Sequence, residues 1–233
     1  MTQAPENTLA AFRLAIEQGA EGIELDARLT ADGEVVVFHD ESLERVTDGH
    51  GRVRNYTLAE LKRLDAGERF NPAFRGERIP TLREVFDELD RSARFDIELT
   101  DYTDPFGPLA GRVLCLVREY RLEERVVITS FNPIALLKTR RMDPEVVCGI
   151  IALRGSKGAL QRSWIGRLFA RHLVVSYYTD IREDFVRREH KRERKVVPWT
   201  ANTSEDIQRL AGWAVDGIIT DRPDLAVQVL RSA

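Results

Sequence analysis

The alternation of short β-type runs with amphipathic helical stretches, sustained from residue 81 to residue 230, is the feature that most restricts what this chain can fold into. It predicts helices over 81–89, 109–120, 132–141, 159–170, 182–191, 204–211 and 225–230. Between them it places strands over 95–99, 126–130, 146–152, 173–177, 195–200 and 217–220. Strands separated by whole helices run parallel, each reached from the last by a crossover. One more strand, over 23–26, precedes this block. Before it comes a helix led in by Asn7 or Thr8, with Leu9, Phe12 and Ile16 at helical spacing and Gly19 closing it. The expected fold is α/β, a TIM-type (β/α)8 barrel forming one domain over residues 1–233. Seven parallel strands are visible where the closed barrel has eight, and the chain opens on a helix, so the first strand is expected to be missing. Residues from about 44 to 80 are polar and turn-rich, with a helical piece at 57–64 and breakers at Gly67, Pro72 and Pro80. They form an expected small insertion after the second strand.

Within that frame, the stretch from Gly22 to Asp40 is richest in chemistry. Glu24 and Asp26 sit among aliphatic neighbours two residues apart, which puts both carboxylates on one face of a strand. Asp32-Gly33 is a hairpin turn signal, because glycine accepts the positive φ such turns need. A two-residue turn would set His39 opposite Asp26; a longer loop with Gly33 in the left-handed region would slip the register by about one and still set His39 beside Leu25 or Asp26. Taken alone, a strand that is polar on its outer face explains such an acid pair as well as a ligand set does.

Barrels of this type gather their working residues at the C-terminal ends of the strands. Here those ends carry Glu24 and Asp26, Glu98, Ser130, Tyr177 and Tyr178, Trp199, and Asp221. Three carboxylates on neighbouring strands make a hard, oxygen-rich cluster suited to Ca²⁺ or Mg²⁺. Without a cation they would repel one another, and at least one would hold a proton.

A net charge of −3 and a pI near 5.9 leave no electrostatic footprint for nucleic acid, so no such partner is expected. Cys115 and Cys148 lack metal-type spacing and read as buried apolar fillers in a reducing compartment, with no disulfide. There is no basic and apolar leader, and no apolar run approaches the roughly 20 residues that span a bilayer. The expectation is a cytoplasmic protein without an integral membrane segment. Residues 157–171 place Leu160, Trp164, Ile165, Leu168 and Phe169 on one broad face with arginines elsewhere. That pattern fits an outer helix packed on the sheet, or a helix lying on a membrane as a peripheral contact.

The order of motifs carries a resemblance. Pro5-Glu6-Asn7-Thr8-Leu9-Ala10-Ala11-Phe12 comes first, followed by Gly22-Ile23-Glu24-Leu25-Asp26, Asp32-Gly33 and Val37-Phe38-His39-Asp40. Farther on stand Thr129-Ser130-Phe131, Pro198-Trp199-Thr200-Ala201-Asn202 and Val215-Asp216-Gly217-Ile218-Ile219-Thr220-Asp221-Arg222-Pro223. Together they resemble the glycerophosphodiester phosphodiesterase family of phospholipase C-like barrels across essentially the whole chain.

The resemblance implies metal-dependent hydrolysis of a small glycerophosphodiester to glycerol 3-phosphate and an alcohol, with Glu24, Asp26 and Glu98 as ligands of a divalent ion, Ca²⁺ or Mg²⁺. It implies that His39 is one of two histidines serving as general acid and base. The other belongs to a His-Arg-Gly segment that ends the family's first strand and lies upstream of the match here, so a late start or a truncation is expected. Trp199 is expected to wall the glycerol moiety. Thr100 stands where the family commonly has a lysine, keeping a hydroxyl at the substrate site but not a cation. His50, His172 and His190 read as surface residues.

Two other readings remain. One is a barrel that holds a metal and a phosphorylated ligand without turnover, to which the absent histidine and Thr100 point. The other is a phosphodiesterase acting on lysophospholipids, to which residues 157–171 point.

Overall fold

Helix α1 (Leu9–Glu17) leads into strand β1 (Gly22–Leu29), and the side chain of Thr8 begins the helix by accepting the N–H of Ala11 at 3.2 Å. The computed structural model describes residues 3–89, 93–100, 102, 104 and 106–232. It divides into two compact units, Met1–Glu17 with Glu21–Val126, and Gln18–Ala20 with Val127–Ala233.

The first unit continues with β2 (Val35–Val37), α2 (Leu58–Leu61), α3 (Leu82–Glu88), β3 (Arg94–Leu99) and α4 (Leu109–Glu119). Strand β1 runs parallel to β3, with Glu24 opposite Asp96 and Asp26 opposite Glu98, and antiparallel to β2, with Ala27 opposite Val37. The hairpin takes the longer-loop register. Thr30 N–H reaches the Glu34 carbonyl at 3.0 Å, and Gly33 occupies the left-handed region at φ 82°. Continuing that pairing puts Phe38 against Asp26, where its N–H donates to the Asp26 carbonyl at 2.8 Å, and His39 one step on beside Leu25. Ile23, Leu25 and Ala27 alternate inward with Phe95, Ile97 and Leu99, and all six are buried. Thr81 and Glu84 form a reciprocal capping box that starts α3 where the sequence put it.

The expected polar insertion differs in character. Leu43, Val53, Leu61, Ala66 and Ile79 join Val36 and Phe38 in a buried cluster, with Val46, Tyr56, Leu58 and Leu64 packed around it. These apolar residues are spaced irregularly among turns, so no period in the sequence announced their common side. Asp65 fastens the loop by accepting the N–H groups of Gly67, Glu68 and Gly76 at 2.9, 2.7 and 2.6 Å.

The second unit holds β4 (Val126–Ser130, whose first residue lies in the other unit), α5 (Pro133–Met142), β5 (Val147–Ala152), α6 (Trp164–Phe169), β6 (Leu173–Tyr177), α7 (Glu183–His190), β7 (Lys195–Trp199), α8 (Ser204–Gly212) and α9 (Pro223–Arg231). Strands β4, β5, β6 and β7 pair in that order, all parallel. Two expectations change here. The helix expected over 159–170 is only α6, because a 3₁₀ turn at Gly155–Gly158 precedes it and Ser163 caps it afresh. The strand expected over 217–220 follows β7 without forming a regular ladder. Asp216 and Ile219 donate to Val196 and Pro198, but Pro198 has no N–H to return and the Val196 N–H goes to the Asp216 carboxylate.

Candidate active site

The parallel pairing of β1 with β3 sets Asp26 directly across from Glu98, and Glu24 lies two residues back on the same face of β1. One carboxylate oxygen from each of Glu24, Asp26 and Glu98 lies within 4.8 Å of the others, so the structure brings together all three acids singled out in the sequence. Asp26 is 4% and Glu98 7% exposed, and neither meets a cation in an ion pair among the described residues. Burial pushes the Asp26 carboxyl above the usual carboxylate range, although nearby His39 and Arg28 and a hydrogen bond from Asn7 oppose it. Burial, and next the charge of Asp26, push Glu98 up to about 8 against the hydrogen bond that Tyr102 donates. Three hard oxygen donors within reach of one another, two of them buried and with raised carboxyl pKa values, fit a divalent cation bound by oxygen ligands.

Asn7 orients Asp26. Its amide donates to Asp26 Oδ2 at 2.9 Å, and its carbonyl oxygen accepts the Asp26 N–H at 3.3 Å. Thus Thr8 caps the helix, and Asn7, held at φ 54°, serves the acidic cluster. Tyr102 also donates to Glu98, and burial, with the Glu98 charge next, raises its own hydroxyl pKa.

His39 presents a ring whose side chain is 61% exposed, with Nδ1 2.7 Å from Asp40 Oδ1. The other oxygen of Asp40 accepts Arg45 Nε at 2.5 Å, and Arg45 in turn grips both oxygens of Glu6, one of them at 2.8 Å. Burial opposes ionisation of Asp40, but the hydrogen bonds from Arg45 and His39 prevail and hold it below the usual range. An ionised Asp40 accepts a hydrogen bond from Nδ1–H, which leaves Nε2 as the ring atom able to exchange a proton with a bound oxygen. Arg28 fixes the backbone beneath the ring by donating to the carbonyls of Phe38 at 3.1 Å and His39 at 2.6 Å.

Thr100 is 2% exposed and its hydroxyl donates to the Ala27 carbonyl at 2.8 Å, so that hydrogen serves the β1–β3 junction. Trp199 ends β7 in the second unit, edge-on to Phe131 at 6.1 Å and Tyr177 at 5.3 Å. Its indole N–H is buried and meets no acceptor among the described residues. Of the other histidines, His172 accepts the Cys148 N–H and His190 pairs with Asp216, while the His50 carbonyl accepts the Tyr56 hydroxyl.

Sequence reasoning missed the supporting residues Asn7, Glu6, Arg28, Asp40, Arg45 and Tyr102. Glu6 and Asn7 stand in a recognised motif and Asp40 adjoins His39, which was a usable signal. Arg45 and Tyr102 offered none.

A family model described as the glycerophosphoryl diester phosphodiesterase family matches residues 1–225. A glycerophosphodiester phosphodiesterase of Caldanaerobacter subterraneus is 40% identical over 229 residues, covering 97% of this chain and 93% of the relative. The crystal structure of a glycerophosphodiester phosphodiesterase from Agrobacterium tumefaciens superposes with a TM-score of 0.84 at 31% identity, over 97% of this chain and 94% of that one. A phosphodiesterase of Oleispira antarctica, solved in complex with the product sn-glycerol-3-phosphate, gives 0.85 at 26% identity, over 98% and 92% of the two chains.

Proposed function

This chain belongs to the glycerophosphoryl diester phosphodiesterase family, and from that membership we propose that it is a phosphoric diester hydrolase cleaving small glycerophosphodiesters to glycerol 3-phosphate and an alcohol. The observation that carries the reading is the convergence of Glu24, Asp26 and Glu98 beside His39.

Glu24, Asp26 and Glu98 would hold the divalent cation, Ca²⁺ or Mg²⁺, which when bound polarises a phosphoryl oxygen and offsets charge developing on it. Asn7 and Tyr102 keep two of those carboxylates aimed before any ligand arrives. His39 moves the proton at Nε2, as base toward an attacking oxygen or as acid toward a leaving one, and Asp40 holds its orientation. Trp199 contacts the glycerol moiety, a role supported by its strand-end position and its unpartnered indole N–H. Thr100 supports the substrate side through the backbone it anchors. Cys148 is buried as expected but Cys115 is exposed, and their free thiols support placement in the cytoplasm; a net charge of −3 supports the absence of a nucleic-acid partner.

The test is release of glycerol 3-phosphate from glycerophosphocholine and glycerophosphoethanolamine, with Ca²⁺, with Mg²⁺ and with chelator. Metal-dependent release that Asp26→Asn abolishes is expected. No release from either diester by metal-loaded protein would instead favour a barrel that binds a phosphorylated ligand without turnover.

A further inference from the structure

Residues 153–172 carry five basic side chains, Arg154, Lys157, Arg162, Arg167 and Arg171, and no acidic one, in a chain whose net charge is −3. On the same segment Leu153, Leu160, Trp164 and Leu168 are 41%, 57%, 63% and 60% exposed. The broad apolar face read in the sequence is therefore split. Gly166 is buried and Ile165 and Phe169 are half-buried, which seats α6 on its own unit, while Leu160, Trp164 and Leu168, at intervals of four residues, face outward. A helix whose only task was to cover a sheet would turn its polar residues to solvent.

The segment is fastened so that it presents this face. Arg162 pairs with Asp180 at 3.3 Å and donates to the carbonyls of Leu153 at 3.0 Å and Gly155 at 2.5 Å, which closes the turn before α6. Arg140 of α5 reaches the last carbonyls of α6, Leu168 at 3.2 Å and Phe169 at 3.4 Å. Lys157 and Arg171 remain exposed on the same segment as the leucines and the tryptophan.

We propose that residues 153–172 dock this protein peripherally on an anionic phospholipid surface. Trp164, Leu160 and Leu168 would enter the boundary between headgroups and acyl chains, where an indole is favoured, and the long basic side chains would meet lipid phosphates at the same level. Charge complementarity selects this occupant: Asp180 neutralises Arg162, but exposed Lys157 and Arg171 flank the apolar tips on a segment with no acidic residue of its own, which matches a surface that is negative outside and apolar just beneath. The footprint spans about two turns of chain, and no helix of the described residues is long and apolar enough to cross the membrane. This docking is separate from the chemistry at the acidic cluster.

The test is flotation of the full chain with vesicles of phosphatidylcholine alone and of phosphatidylcholine with roughly 30 mol% phosphatidylserine, at low and high salt. At least tenfold stronger partitioning onto the anionic vesicles, weakened by salt, is expected. Leu160→Ser/Trp164→Ser/Leu168→Ser and, separately, Lys157→Glu/Arg171→Glu should each reduce it about tenfold, with hydrolysis of soluble diester unchanged. Trp164→Phe, which keeps the packing, should lose the blue shift of tryptophan emission that the parent shows on anionic vesicles. Equal partitioning onto neutral vesicles, no partitioning at all, undiminished partitioning of both folded multiple variants, or a blue shift that survives in Trp164→Phe would overturn the proposal. Hydrolysis is measured on soluble substrate, so failure of the docking and failure of the catalytic reading are read separately.

Discussion

Glu98 makes the metal-free protein sensitive to pH in a direction that can be worked out beforehand. Its folded pKa is about 8, against 4.5 for a free side chain, with burial and then Asp26 as the causes. Between those two values the folded state keeps a proton that the unfolded state releases, so stability falls as pH rises from 4.5 toward 8. The gap corresponds to on the order of 5 kcal/mol over that span, a large share of a typical folding free energy. A divalent ion reverses the effect, because a ligating carboxylate must be ionised. At neutral pH Glu98 should release a proton as the ion binds, and affinity should fall as the pH drops below about 8. Urea unfolding of chelated and metal-loaded protein between pH 5 and 9, with Glu98→Gln as the reference, measures the first quantity. Calorimetry in buffers of different ionisation enthalpy measures the second. A chelated protein whose stability runs parallel to that of Glu98→Gln across this range, with ion binding that releases no proton, would refute the argument that burial holds the acid neutral.

Other perturbations test the supporting structure. His39→Ala should lower kcat by about 10² to 10⁴ with little change in KM. Asp40→Asn, which keeps the shape but frees the ring, should lower kcat by at least about tenfold and alter its pH profile; an unchanged profile would mean that Asp40 does not orient the imidazole. Leu61→Ala, at the fully buried last residue of α2, should cost about 2–4 kcal/mol in a urea titration, and a cost near zero would show the cluster between β2 and α3 to be only loosely packed. Glu189→Gln strips the charge partner from buried Arg194, whose guanidinium burial already disfavours, and should destabilise by about 3–5 kcal/mol in the same assay.

Residue order by itself determined the succession of helices and strands, because spacings of two and of three to four residues are written along the chain. It also put Glu24 and Asp26 on one face, and the matching of motifs singled out Glu98 and His39. The hairpin register was left open, since a two-residue turn and a longer loop both suit Asp32-Gly33; the observed pairing is the longer-loop one. Arg45 gripping Glu6 across 39 positions, and Asn7 bonding Asp26 across 19, join residues no local pattern connects. Burial is likewise a property of neighbours brought from elsewhere. The sequence shows that Asp26 and Glu98 would repel one another, but the larger cause of their raised pKa values, burial between packed elements, belongs to the folded chain. The same holds for residues 153–172: periodicity shows that a face is apolar, but whether protein covers it is settled only when the chain has folded, and here Leu160, Trp164 and Leu168 are left facing solvent.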